Sequence, residues 1–202
     1  MHINHFETIA NQLAEDGFSV TDNFLTSEEV RNITGLDVFK DGSLRRAGIG
    51  NKNKQLNEAI RGDSISWIDF SAAPPSLKIY LNRLGNLRLY LNEALYLSLK
   101  DMEAHFASYP SGSFYKRHLD QFKSDDHRKL SVLLYLNEDW QPEQGGELRM
   151  YLNSTQKDFL PLGGRLICFR SDMMEHEVLP ATRERLSITG WMLDQFSDLR
   201  HL

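Results

Sequence analysis

The sequence contains a single cysteine, Cys168, among 202 residues. One thiol cannot form a disulfide within the chain, and such a composition is typical of proteins that work in a reducing compartment. No stretch approaches 18 consecutive apolar residues, and the chain does not open with a basic segment followed by an apolar run. We therefore expect a cytoplasmic protein with no membrane partner.

Positive charge is also scarce, because 23 lysines and arginines stand against 28 acidic residues and leave a net charge of -5. The basic clusters at 44–46 and 52–54 are short and isolated, whereas nucleic-acid-binding proteins present a basic face. We expect no nucleic-acid partner. Hydrophobic residues make up 41% of the chain, and a single domain of this length buries about 70% of its unfolded surface.

Helical patterns occupy the first half of the chain. An early apolar stripe ends at Gly17, a glycine of the kind that terminates helices. Thr26 and Glu29 have the spacing of a capping box and predict the start of a second helix. The apolar spacing over 77–97 predicts one long helix or two consecutive helices.

After residue 101 the pattern changes to short β-rich runs separated by turn residues. The runs are Ala104–Tyr109, Tyr115–Leu119, Leu130–Asn137, Glu147–Leu152, Arg165–Phe169, His176–Leu179 and Leu186–Leu193. Many short strands with glycine-marked turns predict a sandwich or jelly roll. Helices confined to the front half predict that they pack on one sheet.

Two histidines and an aspartate form a candidate metal site. His118 and Asp120 are two residues apart in a β-rich run, so their side chains lie on the same face of a strand. His176 begins a distant β run and can face the same cavity. Two imidazoles and one carboxylate suit iron(II), because they leave positions open for a bidentate cosubstrate and dioxygen. Zinc and manganese remain open on ligand type alone.

Arg185 follows at the start of the last β run, with Thr189 on the same face. A guanidinium forms a two-pronged bond with a carboxylate, so Arg185 could bind the distal acid of 2-oxoglutarate while its keto acid chelates the metal. Hydroxyls of Tyr135 and Thr189 could add hydrogen bonds, and Tyr109 and Tyr115 could form a cavity wall. A surface arginine and core tyrosines are the alternative interpretation of these residues.

In this order, His118-x-Asp120, His176 and Arg185 resemble the 2-oxoglutarate oxygenase superfamily. The surrounding motifs resemble one branch of it, the prolyl hydroxylases of the hypoxia-sensing type. These motifs are Ile60-Arg61-Gly62-Asp63 with Trp67-Ile68, Tyr109-Pro110, Tyr115 to Asp120, Tyr135-Leu136-Asn137 with Asp139-Trp140, Gly145 to Arg149, and Ala181-Thr182-Arg183 through Ile188-Thr189 and Trp191.

The resemblance implies an α+β fold whose core is a double-stranded β-helix, a cupin-like jelly roll, with N-terminal helices packed on one sheet. It implies one oxygenase domain over residues 1–202. About residues 1–100 would supply helical support and a lid loop, and about residues 101–194 would form the core.

The resemblance also implies the site. The metal ligands and catalytic residues would be His118, Asp120 and His176. The residues that bind or border 2-oxoglutarate would be Arg185, Tyr135, Thr189, Tyr109 and Tyr115. The cofactors would be Fe(II), 2-oxoglutarate as cosubstrate and O2, with ascorbate as a reductant.

On the substrate side, the resemblance implies that a lid at Ala47 to Leu56 folds over the substrate. Arg61 and Asp63 would help to hold it, and Arg128 is a candidate partner for Asp63. The reaction would hydroxylate a prolyl residue in a protein and convert 2-oxoglutarate to succinate and CO2. The chain looks like a bacterial member, and bacterial relatives imply elongation factor Tu as the substrate.

Two other functions fit parts of the pattern. A cupin-like metal enzyme could use the same three ligands with zinc or manganese and no keto acid, although Arg185 argues against it. A non-catalytic module could recognise a proline-containing loop without oxidising it, although intact ligands argue against that.

Overall fold

The computed structural model describes residues 2–40, 42–47, 60–121 and 126–196. The helices are α1 (His2–Asp16), α2 (Ser27–Thr34) and α3 (Pro75–Leu95), with short 3-10 turns at Asp37–Phe39 and Pro142–Gln144. The strands are β1 (Phe18–Thr21), β2 (Arg45–Arg46), β3 (Ser64–Trp67), β4 (Asp101–Tyr109), β5 (Tyr115–His118), β6 (Arg128–Tyr135), β7 (Leu148–Leu152), β8 (Thr155–Phe159), β9 (Leu166–Arg170), β10 (His176–Val178) and β11 (Arg185–Leu193).

The strands form two antiparallel sheets. The larger sheet has the order β1-β9-β6-β11-β4-β3-β2, and the smaller has the order β5-β10-β7-β8. One apolar cluster takes side chains from both sheets, among them Tyr135 of the larger sheet and Met150 of the smaller. Side chains of alternate strand positions therefore fill the space between the sheets, as the jelly-roll prediction requires.

The helices cover the other face of the larger sheet. Leu77, Leu84 and Leu91 of α3 are buried in a second cluster together with Val132 and Ile188 of the sheet. This layer confirms the prediction that helices from the front half pack on one sheet. Among the described residues, no helix has the length and hydropathy needed to cross a bilayer.

Local sequence signals explain where the helices begin and end. Gly17 adopts a φ of 77° directly after α1, a conformation that glycine reaches without steric cost. At the start of α2 the Thr26 hydroxyl accepts a hydrogen bond from the Glu29 amide, and the Glu29 carboxylate accepts one from the Thr26 amide. The capping box is therefore confirmed, and the stripe over 77–97 forms one helix rather than two.

The seven predicted β runs all correspond to strands, with ends that differ by a few residues. Two strands, β8 and β3, were not predicted from the sequence. β8 has the sequence Thr-Gln-Lys-Asp-Phe and four exposed residues at the edge of the smaller sheet, so it lacks the apolar alternation that identifies strands. β3 is a short strand whose place between β2 and β4 depends on tertiary pairing. Apart from Ala47, the predicted lid lies outside the described residues.

Candidate active site

A cavity of about 440 Å³ opens between the two sheets, a size typical of small-molecule sites. Most of the residues singled out in the sequence line it. They are Arg61, Tyr109, Tyr115, His118, Asp120, Arg128, His176, Arg185 and Thr189. Tyr135 is fully buried beside Arg185, and Asp63 is buried against Arg61.

His118, Asp120 and His176 come together at one point of this cavity. Their candidate ligand atoms all lie within 4.8 Å of one another. Nε2 of His118 lies 3.5 Å from Oδ1 of Asp120, and Nε2 of His176 lies 3.8 Å from the same oxygen. Antiparallel pairing of β5 with β10 brings the two histidines together, because His118 and His176 are cross-strand partners.

Backbone hydrogen bonds orient both imidazoles. Nδ1 of His118 lies 2.7 Å from the Lys116 carbonyl oxygen, and Nδ1 of His176 lies 2.9 Å from the Met174 carbonyl oxygen. A carbonyl oxygen only accepts, so in each neutral imidazole Nδ1 carries the proton and Nε2 has the lone pair. Both lone pairs are therefore available to a metal ion, as is typical of histidine ligands.

The charge states also suit a cation. Burial lowers the pKa of His176 to about 4, so its imidazole is neutral near pH 7. Burial alone would raise the pKa of Asp120, but His176, His118 and the Ser131 hydroxyl together hold it well below its usual range. The site therefore offers one ionised carboxylate and two imidazole nitrogens, the donor set favoured by non-haem iron(II) sites with open positions.

Arg185 carries a buried charge at the other end of the cavity. It is 1% exposed, and no carboxylate among the described residues forms an ion pair with it. Its guanidinium lies over the rings of Tyr109 and Tyr135, with centroid distances of 5.1 and 4.9 Å. A buried unpaired charge is costly, so this arrangement is suited to an anionic ligand.

A glycine holds the Arg185 side chain in place. Nε of Arg185 donates a 3.0 Å hydrogen bond to the Gly146 carbonyl. Gly146 has a φ of 76°, and a Cβ there would lie 2.9 Å from the Cβ of Ala181. Only glycine fits this close approach without strain. The backbone at Gly146 therefore fixes the guanidinium.

Two unpartnered polar atoms test whether the cavity fits a diacid. Within the part of the chain that the structure describes, Nη2 of Arg185 and the hydroxyl of Tyr135 are buried without a hydrogen-bond partner. Burial raises the pKa of Tyr135, so its hydroxyl keeps its proton and can donate. Two buried donors without acceptors match the distal carboxylate of 2-oxoglutarate.

Strand register explains why the other predicted residues face this end. Arg185 and Thr189 lie four positions apart on β11 and therefore share a face. Arg185 is the cross-strand partner of Tyr109 on β4.

At the metal end, Tyr115 stacks on the His118 ring at 3.7 Å between centroids, and the Arg61 guanidinium lies 4.5 Å from the Tyr115 ring centroid. These contacts connect the Arg-Gly-Asp segment with a metal-site imidazole.

The expected partner of Asp63 needs correction. Arg61 donates to both carboxylate oxygens of Asp63, at 2.7 and 2.5 Å. Arg128 instead pairs with Glu103 at 2.9 Å, and its guanidinium lies 3.6 Å from the Trp191 ring centroid. The pairing differs because Asp63 is only two residues from Arg61, whereas Arg128 extends along the indole of Trp191.

An aromatic wall was missed in the sequence. The His105 ring lies 5.2 Å from the ring of Trp67 and 5.6 Å from that of Trp191, and all three line the cavity. Burial lowers the pKa of His105 to about 4, so its imidazole is neutral near pH 7. Alternation along β4 could have indicated it, since His105 shares a face with Tyr109.

Comparisons with known proteins agree with this geometry. Residues 104–193 match the 2OG-Fe(II) oxygenase superfamily. A solved Pseudomonas putida prolyl-4-hydroxylase is 43% identical with a TM-score of 0.86, covering 95% of this chain and 100% of that one. A Trichoplax adhaerens prolyl hydroxylase, solved with a hypoxia-inducible factor peptide, is 29% identical with a TM-score of 0.87, covering 96% and 90%.

The human Egl nine homolog 1 is 32% identical over 203 residues, or 93% of this chain. This chain spans 46% of that relative's length, less than half.

The fold and the site together define a double-stranded β-helix oxygenase. The chain belongs to the 2OG-Fe(II) oxygenase superfamily, in its prolyl hydroxylase branch. Members of this superfamily require Fe(II), 2-oxoglutarate and O2, and the His118, Asp120 and His176 group fits iron binding.

Proposed function

We propose that this chain hydroxylates a prolyl residue of a protein substrate. In the overall reaction the substrate C–H bond becomes C–OH, 2-oxoglutarate becomes succinate and CO2, and dioxygen supplies one oxygen atom to each oxidised product. One observation supports this proposal most strongly. Arg185 is buried, has no carboxylate partner within the described ranges, and lines the same cavity as the three candidate ligands. A metal enzyme without an anionic ligand in this cavity would leave the cation without a counter-charge.

Each group has a distinct task in this proposal. His118, Asp120 and His176 would hold iron(II), which when bound supplies the activation of dioxygen. Arg185 and the hydroxyls of Tyr135 and Thr189 would bind the distal carboxylate of 2-oxoglutarate. Holding both ends of the cosubstrate fixes its reacting end relative to the substrate, which lowers the entropic part of the barrier.

The aromatic wall and the Arg-Gly-Asp segment suggest where the substrate binds. Trp67 is 49% exposed although it lines the cavity, so its ring is available to the apolar ring of a proline. Asp63 orients Arg61, which lies over Tyr115. We propose that Arg61 and Arg128 contact the substrate and that Asp63 acts through Arg61.

The chain would act as one oxygenase domain, with about residues 1–100 as helical support for the core. A reducing, cytoplasmic setting fits the single buried cysteine. We propose elongation factor Tu as the protein substrate, as expected for a bacterial member. The hypoxia-inducible factor peptide bound by the Trichoplax adhaerens relative supplies the comparison substrate.

The proposed reaction predicts a gain of one oxygen on a proline. The purified protein with Fe(II), 2-oxoglutarate and ascorbate would be incubated separately with elongation factor Tu and with the hypoxia-inducible factor peptide. Mass spectrometry should find an oxidised proline that is absent when 2-oxoglutarate is omitted. If only the peptide were oxidised, elongation factor Tu would be rejected as the substrate. If no proline were oxidised in either substrate or in a cell lysate, the proposed hydroxylation would be contradicted.

Cosubstrate binding predicts a second, simpler result. A ligand at 100 times its dissociation constant stabilises a protein by about 2.7 kcal/mol, which for about 200 residues raises the melting temperature by roughly 5 to 10 °C. With Mn²⁺ present, 2-oxoglutarate should produce such a shift. The control is 2-oxobutyrate, which lacks the distal carboxylate and should shift the melting temperature much less. No shift with either compound would favour a cupin-like enzyme without a keto acid. Equal shifts would mean that the distal carboxylate is not recognised.

A further inference from the structure

The two carboxylate oxygens of Asp120 have different surroundings. Oδ1 faces Nε2 of both His118 and His176. Oδ2 accepts a 2.6 Å hydrogen bond from the hydroxyl of Ser131, and Ser131 is fully buried. Only Oδ1 is therefore directed toward the point where the two imidazole nitrogens converge.

The hydroxyl of Ser171 orients the hydroxyl of Ser131. Oγ of Ser131 lies 2.8 Å from Oγ of Ser171, which is also fully buried. A serine hydroxyl has one proton. The ionised carboxylate of Asp120 can only accept, so Ser131 uses its proton there. Ser171 must then be the donor to Ser131, and the chain of hydrogen bonds has one direction: Ser171 to Ser131 to Asp120.

This chain of hydrogen bonds connects three separate segments of the site. Ser131 belongs to β6, in the larger sheet. Ser171 lies in the turn between β9 and β10, five residues before His176, and its amide donates to the Lys129 carbonyl. The carbonyl of Ser171 accepts from the amide of Gln121, the residue after Asp120. The segments that carry two of the candidate ligands are thus held to each other and to the sheet.

We propose that Ser131 and Ser171 are positioning residues for the metal, with Ser171 acting through Ser131. By occupying Oδ2, Ser131 would leave Oδ1 of Asp120 as the oxygen that binds the metal. The inference rests on the proposed function, because it needs a metal at His118, Asp120 and His176. Hydrogen-bond partners of metal ligands typically change metal affinity by about 10- to 100-fold.

The test measures the dissociation constant of Mn²⁺ by calorimetry, without cosubstrate or turnover. Ser131→Ala should weaken Mn²⁺ binding by at least about 10-fold, and Ser131→Thr, which keeps a hydroxyl, should restore most of it. Ser171→Ala should weaken binding by about fivefold, the effect of one ordinary hydrogen bond. The double variant should match Ser131→Ala, because the Ser171 hydroxyl acts on the carboxylate through Ser131 and the backbone bonds of residue 171 remain in the alanine variant.

The matched control is Ser19→Ala, which removes a buried hydroxyl from β1 and should leave Mn²⁺ affinity unchanged. Melting of each metal-free variant reports any general loss of stability. Unchanged Mn²⁺ affinity in both Ser131→Ala and Ser171→Ala would overturn the proposal, and an additive double variant would overturn the directed chain. If the unsubstituted protein and Asp120→Ala bind Mn²⁺ equally weakly, the proposed metal site fails instead.

Discussion

Replacing Asp120 by alanine should reduce succinate formation to the level of a reaction without enzyme. Asp120 supplies the one ionised carboxylate of the candidate metal group, and its Oδ1 lies within 3.8 Å of both imidazole Nε2 atoms. Without it two imidazoles remain, and they do not complete the two-histidine, one-carboxylate ligand set of non-haem iron(II) sites. Turnover would be measured as succinate released per protein with Fe(II) and 2-oxoglutarate.

The same variant should lose the stabilisation that Mn²⁺ gives to the unsubstituted protein, because a metal bound only to the folded state raises its free energy of unfolding. Asp158→Asn is the matched control. Asp158 binds Arg149 on the smaller sheet, at 2.7 and 2.8 Å, and does not line the cavity. A surface ion pair contributes about 0 to 1 kcal/mol, so activity should persist. Full turnover by Asp120→Ala would show that Asp120 is not a required metal ligand.

The sequence predicted those features that depend on strand periodicity or on signals within a few residues. The period-two alternation that places His118 and Asp120 on one face follows from strand geometry alone. The helix and turn signals at Thr26 and Gly17 act over a few residues and were confirmed. For the same reason, Arg185 and Thr189 could be assigned to one face of β11 before its neighbours were known.

Features that depend on strand order were not predictable in this way. Trp67 reaches the cavity because β3 pairs with β4, at a register that places it beside His105. The Ser131 and Ser171 contact joins residues 40 positions apart, and neither serine belongs to a local motif. The predicted pairing of Asp63 with Arg128 was wrong for a related reason, since Arg128 pairs with Glu103 and lies over Trp191, contacts made across the neighbouring strands β4 and β11.

The substitution Arg185→Ala should raise the KM for 2-oxoglutarate by about 10- to 150-fold. A hydrogen bond to a charged group contributes about 1.5 to 3 kcal/mol, and each 1.4 kcal/mol corresponds to a factor of ten. Arg185→Lys should have an intermediate effect, because lysine keeps the charge but not the planar fork. Steady-state succinate formation over a range of 2-oxoglutarate concentrations measures both variants.

A truncated keto acid separates loss of the carboxylate contact from general damage. Compared with 2-oxoglutarate, 2-oxobutyrate lacks the distal acid, so its use should be poor in the unsubstituted protein and nearly unaffected by Arg185→Ala. Arg183→Ala is the control, because its guanidinium lies over Trp140 at 4.9 Å and does not line the cavity. If Arg185→Ala reduced turnover of both keto acids equally, Arg185 would act through the fold. Selective loss for the diacid would instead mean that the buried cation binds the cosubstrate's second carboxylate.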